Sequence, residues 1–151
     1  MSAENQAIGE QGLALLLEAS RNFAISQIAQ GQRLIPFAGR ANAAGEIDFI
    51  RFVDEDTELP LDEIYDKTQA AIAEEARAGQ LVAATMVSAV GGTPGQFGEG
   101  FDSAIRVHVE APDYSRVVLA PFRVEQSEGQ DAKLVVGELL PIEADPAIFA
   151  A

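Results

Sequence analysis

Residues 60–90 read PLDEIYDKTQAAIAEEARAGQLVAATMVSAV, and this stretch predicts a helix followed closely by a buried strand. Pro60 suits the first turn of a helix, and the acidic residues just after it favour the positive end of the helix dipole. Side chains suited to a buried stripe recur at helical spacing, at Leu61, Ile64, Tyr65, Thr68, Ile72 and Ala76. Gly79 ends the helix, and residues 80–90 combine small and β-branched side chains on both faces, which is typical of a central strand.

The amino-terminal side of this stretch predicts a second helix and a hairpin. Residues 12–30 contain one apolar stripe at helical spacing, formed by Leu13, Leu16, Leu17, Ala24 and Ile28. Extended runs at 33–40 and 46–53 flank a turn that contains asparagine and glycine, which favours a β-hairpin. Residues 1–10 have little periodicity, and we expect them to be frayed.

The carboxyl-terminal side predicts a loop and three further strands. Residues 91–100 are rich in glycine, and we expect them to form a flexible loop. Residues 103–110 and 116–125 are expected to pair as a hairpin across a Pro-Asp turn. Residues 133–143 form the last strand, in which Gly137 favours a bulge.

Together these elements predict one α+β domain that covers residues 1–151. The late hairpins are antiparallel, whereas a helix between two strands favours a crossover connection. We therefore expect a single twisted mixed sheet, mostly antiparallel and of about six strands, with two helices on one face.

The composition restricts the partners of this chain. It has 24 acidic residues against 10 basic ones, a formal net charge of −14, and arginines scattered along the sequence. Such a chain repels nucleic acid and anionic membranes, whereas a basic protein partner suits it. It contains no cysteine, no run of roughly 18 apolar residues and no basic start followed by an apolar block. We expect a cytoplasmic protein that binds neither nucleic acid nor membrane.

The candidate site is centred on His108, which is the only histidine. Strand alternation places it on one face with Arg106 and Glu110, and Arg123 lies in the strand expected to pair with them. Glu138 interrupts an apolar run, and a buried carboxyl there would have the raised pKa that acid-base catalysis needs. His108 and Glu138 are therefore the catalytic candidates, and Arg106, Glu110 and Arg123 are the ligand-binding candidates for a small anion.

The same residues have a structural interpretation. Alternating arginine, histidine and glutamate is typical of the solvated face of an antiparallel sheet, and a bulge at Gly137 would turn Glu138 outward. The glycine-rich segment 91–100 lacks the lysine and the following helix of a phosphate loop. The acidic run 54–58 lacks the glycine of a calcium loop, because Leu59 stands in its place. We expect neither a metal nor a cofactor.

These patterns lead to three functional hypotheses. The first is a small cytoplasmic binding or interaction protein, without catalytic activity and homodimeric. The second is an enzyme that acts on a small anionic metabolite, with His108 and Glu138 as acid and base. The third is an acidic inhibitor of a basic partner protein.

Overall fold

Two helices and a sheet make up the described part of the chain. The computed structural model describes residues 9–30, 34–51, 58–91, 97–98, 100–101, 103–112, 114–125, 129 and 133–149. Helix α1 spans Gly9–Ala29 and helix α2 spans Leu61–Arg77. The predicted stripe of α2 is confirmed in part: Ile64, Thr68 and Ile72 are buried, and so is Ala73, which was not predicted, whereas Leu61 is 36% exposed.

The strands form one antiparallel sheet. They are β1 Phe37–Ala41, β2 Ile47–Ile50, β3 Ala83–Gly91, β4 Ser103–Ala111, β5 Tyr114–Glu125, β6 Lys133–Val136 and β7 Leu140–Glu143. Their order is β2-β1-β3-β4-β5-β6, and β7 also pairs with β5. The predicted α+β class with a single sheet is confirmed.

Every strand pair in the described residues is antiparallel, so the sheet is not mixed. The connection from β2 through α2 to β3 does join two strands of the same direction. However, β1 lies between them and pairs with both, and the crossover therefore creates no parallel pair.

The two helices lie on opposite faces of the sheet, not on one face as predicted. Val87 of β3 packs in one cluster with Ala24 of α1. Its neighbour Met86 points the other way and packs with Ile72 of α2. The physical reason is that residues 83–87 are fully buried, so this central strand needs cover on both sides. We call the two sides the α1 face and the α2 face.

Helix α1 approaches the sheet closely at Gly39 of β1. Ser20 Oγ lies 2.8 Å from Thr85 Oγ1, which also accepts a hydrogen bond from the Gly39 N–H at 3.0 Å. A Cβ atom at Gly39 would lie 2.5 Å from Thr85 Oγ1 and 2.9 Å from Ser20 Oγ. The missing side chain therefore leaves room for a buried polar contact between α1 and the sheet.

Strands β6 and β7 are two halves of one interrupted strand along β5. Val136 pairs with Phe122 and Leu140 pairs with Leu119, so residues 137–139 face only residues 120–121. The N–H of Gly137 donates to the Pro121 carbonyl at 2.8 Å. The predicted bulge at Gly137 is confirmed, and it divides the predicted strand 133–143.

The α2 face is covered by two different elements. Helix α2 packs on β1 and β3, while the segment 145–149 returns over β4 and adds Ile148 to the same core cluster as Met86. Ile148 is only 1% exposed. Ile148 therefore makes this carboxyl-terminal segment part of the core.

Some predictions lie outside the described residues. These include the fraying of residues 1–8 and most of the glycine-rich loop 91–100, whereas Gly9 already begins α1 and Gly91 still belongs to β3. Within the described part of the chain, neither helix has the length and apolar character needed to cross a membrane.

Candidate functional site

Arg106, His108 and Glu110 share one face of β4, as the alternation predicts. This is the α2 face, and it is not open to solvent at these positions: His108 is 3% exposed and Glu110 is 0% exposed. The interpretation of a solvated sheet face is therefore wrong. It failed because the segment 145–149 covers β4, and strand alternation contains no information about that cover.

Glu110 holds the carboxyl-terminal segment through its side chain. Its carboxylate accepts hydrogen bonds from three consecutive backbone N–H groups, those of Ala147, Ile148 and Phe149, at 2.9 to 3.1 Å. An ionised carboxylate accepts hydrogen bonds and donates none, so it can bind three N–H donors at once. These donors also stabilise its buried charge. We call this contact the Glu110 latch.

Sequence reasoning missed the partner of Glu110. The available signal was the apolar pair Ile148 and Phe149 directly after Pro146, because apolar residues at the end of a polar segment need a surface to pack on. Nothing in that pair indicates which strand it covers.

His108 contacts two oxygens through one ring nitrogen. Its Nε2 lies 2.9 Å from Ser115 Oγ and 3.2 Å from Glu110 Oε2. Because the carboxylate can only accept, Nε2 carries a proton and faces both oxygens. Burial lowers the pKa of the His108 imidazole; Glu110 opposes this shift and Arg106 adds to it. The imidazole is therefore neutral at pH 7.

The residues Ser115, His108 and Glu110 have the composition of a hydrolytic triad but not its geometry. In a triad the nucleophilic hydroxyl contacts one ring nitrogen and the acid contacts the other. The acid then stabilises the positive charge that the ring gains when it takes the hydroxyl proton. Here both oxygens contact Nε2. The Glu110 carboxylate is also bound by three backbone N–H groups. This arrangement suits holding a segment in place better than proton transfer.

Arg106 contacts helix α2 across the sheet face. One of its Nη atoms donates to the hydroxyl oxygen of Tyr65, and its guanidinium carbon lies 5.7 Å from the centre of the Tyr65 ring. Burial raises the pKa of the Tyr65 phenol, while Arg106 opposes that shift. Arg106 and Tyr65 lie at the wall of a cavity of about 320 Å³.

Arg123 lies on the predicted face but at a distance from the His108 cluster. It is four residues beyond Leu119, which pairs with Arg106, and this corresponds to about 13 Å along a strand. Its Nε atom donates to Glu125 at 3.0 Å, and its guanidinium carbon lies 4.9 Å from the centre of the Phe101 ring. The structure therefore does not gather Arg123 into one site with Arg106.

Glu138 is exposed at the bulge between β6 and β7. The polar contacts of His108 within the described residues are Ser115 and Glu110, so the two predicted catalytic residues do not meet. The bulge at Gly137 is the physical reason, since the extra residue turns this side chain out of the strand pairing.

A second, polar cavity of about 400 Å³ lies beside Arg40. The guanidinium donates to both carboxylate oxygens of Asp48, at 2.9 and 2.7 Å, and to Glu75 at 3.0 Å. Arg40 lowers the pKa of the Asp48 carboxyl. These contacts join the β1–β2 hairpin to α2, and they pair Arg40 with two carboxylates of its own chain. No cluster of three or more potential metal ligands occurs among the residues described.

Comparison with known proteins adds no relative. No protein-family model, curated protein or solved structure matches this chain significantly.

Proposed function

We propose that this chain is a small cytoplasmic interaction protein without catalytic activity, which forms a homodimer through an apolar surface on β5 and β7. We define this surface as the β5–β7 patch, formed by Leu119, Leu140 and Ile142. The single observation that carries the proposal is the exposure of Leu140 and Ile142 beside the part of the same sheet face that α2 and the segment 145–149 cover.

The uneven cover of the α2 face supports the interaction role. Helix α2 packs on β1 and β3, and the segment 145–149 lies over β4. Leu140 and Ile142 continue the same face on β7 but are 37% and 47% exposed. Contiguous exposed apolar side chains beside a covered core favour an interface with another protein.

The use of His108 supports the absence of catalysis. The only imidazole of the chain is buried, and its contacts hold the strand β4 and the turn into β5 together. Its neighbour Glu110 is engaged by the backbone of the segment 145–149. Both groups are thus occupied by structural contacts.

The charges beside the patch favour a second copy of the chain as its partner. On the same face of β5, beyond Leu119, Arg123 contacts Glu125 at 3.0 Å, so a basic and an acidic side chain border the patch together. In a twofold interface the same surface meets itself, so its border must suit either sign of charge. A surface for a strongly basic partner would instead be bordered by acidic residues alone.

Sedimentation equilibrium of Ile142→Asp tests this proposal. We expect the unchanged chain to dimerise, and the new carboxylate to weaken dimerisation roughly tenfold or more, because it would be buried without a partner. The matched control is Leu15→Asp, which changes a 59% exposed leucine on α1 and should leave the dimer intact.

Circular dichroism verifies that both variants remain folded. A monomeric unchanged chain contradicts the proposal, and so does equal dimerisation of Ile142→Asp and the unchanged chain. Dissociation by Leu15→Asp alone would place the interface on α1 and overturn the assignment to the β5–β7 patch.

A further inference from the structure

A second recognition feature lies at the amino-terminal end of α2, on the same sheet face as the β5–β7 patch, where Arg106 pairs in register with Leu119. The cavity there has a volume of about 320 Å³ and opens between α2 and the strands β3 and β4. Its walls include the apolar side chains of Pro36 and Leu61 and the ring of Tyr65. Small-molecule sites typically begin at about 300 Å³ and combine apolar walls with a few polar groups.

Arg106 supplies the charged group of this cavity. The side chain is partly buried. Within the described residues, its hydrogen bond goes to the neutral phenol of Tyr65. The ion pairs found in the described residues do not include Arg106, whereas Arg40 and Arg123 each contact a carboxylate. A guanidinium has five N–H donors, so Arg106 retains donors for a ligand carboxylate.

Two exposed carboxylates restrict the charge of a ligand. Asp62 and Asp66 of α2 also line the cavity, and like charge disfavours an anion with two negative charges. A single negative charge can contact Arg106 directly while an apolar group fills the space against Pro36 and Leu61. Ser88 adds one hydroxyl to the wall.

We propose that this cavity binds a monocarboxylate with an apolar tail, whose carboxylate accepts hydrogen bonds from Arg106 while the tail packs against Pro36, Leu61 and the ring of Tyr65. The site is built entirely from one chain, so it does not depend on the proposed dimer.

Calorimetric titration with octanoate tests the site. Octanoate carries one charge and an apolar chain, octanamide lacks the charge, and inorganic phosphate lacks the chain. We expect octanoate to bind roughly tenfold or more tightly than either comparator, because only octanoate satisfies Arg106 and the apolar walls together.

Two variants assign the binding to this cavity. Arg106→Gln should weaken octanoate binding roughly 10- to 100-fold. The matched control is Arg116→Gln, which removes an arginine 5.8 Å from the Tyr114 ring, a similar ring contact outside the cavity. It should leave binding unchanged. Leu61→Ala removes part of the apolar wall without changing Arg106, and it should also weaken octanoate binding.

Several results would overturn the site. They are absence of octanoate binding, equal affinity for octanamide, tighter binding of phosphate, and unchanged affinity in Arg106→Gln. Loss of binding in Ile142→Asp would place the octanoate on the β5–β7 patch instead. If Arg106→Gln does not fold, unchanged affinity in Leu61→Ala still refutes the proposal.

Discussion

His108 gives the protein a specific response to acid. An unfolded chain exposes its imidazole, which then titrates near its ordinary pKa of 6.5, whereas burial lowers the pKa in the folded chain. Between these two values the unfolded chain binds more protons, so the free energy of unfolding falls as the pH falls. The contribution is complete above pH 6.5 and is lost as the pH decreases toward the folded pKa. Glu110 and Arg106 are the charged groups that face this ring.

Urea unfolding at two pH values, one above and one below 6.5, tests this response in His108→Gln. Glutamine keeps an N–H donor for Glu110 and Ser115 but has no proton to gain. We expect the unchanged chain to lose more stability on acidification than the variant does. The other acid-sensitive contacts, such as Arg40 with Asp48, are the same in both proteins and cancel in the comparison. Parallel losses in the two proteins would contradict the prediction.

The shared face of Arg106, His108 and Glu110 could be predicted, because strand side chains alternate and the period is fixed by the backbone. Their burial could not be predicted. It depends on a segment more than 30 residues later in the chain, held by the side chain of Glu110. Such a contact leaves no periodic pattern in the sequence.

At the scale of elements, the Glu110 latch is what holds the segment 145–149 to the sheet. Glu110→Gln keeps the shape of the side chain, but one of its two acceptor oxygens becomes an NH₂ donor that opposes the backbone N–H groups. We expect a loss of about 1–3 kcal/mol in the free energy of unfolding, which is the usual cost of a buried donor without an acceptor. Hydrogen exchange at Ala147, Ile148 and Phe149 should become faster.

Glu125→Gln provides the matched control for the latch. Glu125 lies on the neighbouring strand β5, is exposed and contacts only the side chain of Arg123 in the described structure. Surface changes of this kind usually alter stability by less than about 0.5 kcal/mol. Equal stability losses in the two variants, or unchanged exchange at residues 147–149, would contradict the latch.

The bulge in the sheet and the placement of the helices differ in how far they were predicted from the sequence. The bulge at Gly137 could be predicted, because a glycine inside an apolar strand favours a break in pairing. The placement of the helices also had a signal, which the expectation of two helices on one face did not follow. Both helices have an apolar stripe, and the small and β-branched residues on both faces of β3 require cover on each side of the sheet.

At the scale of the whole molecule, the net charge of −14 opposes association of two identical chains. The β5–β7 patch therefore has to overcome a repulsion that salt can screen. The screening length falls from about 30 Å at 0.01 M salt to about 8 Å at 0.15 M. We expect the dimer to tighten roughly two- to tenfold over this range, because the apolar contact at Leu140 and Ile142 is preserved while the repulsion weakens.

The sign of this salt dependence separates a second copy from a basic partner. A complex between this acidic chain and a basic protein would weaken in the same series, since its attraction is screened. Sedimentation equilibrium across the salt series measures the dimer directly, and Ile142→Asp should remain monomeric at every step. If the dimer weakens with salt, charged residues such as Arg123 and Glu125 pair with residues of the other copy across the interface. Their attraction then exceeds the repulsion between the net charges of the two chains. Charge pairing rather than the apolar patch would then hold the copies together.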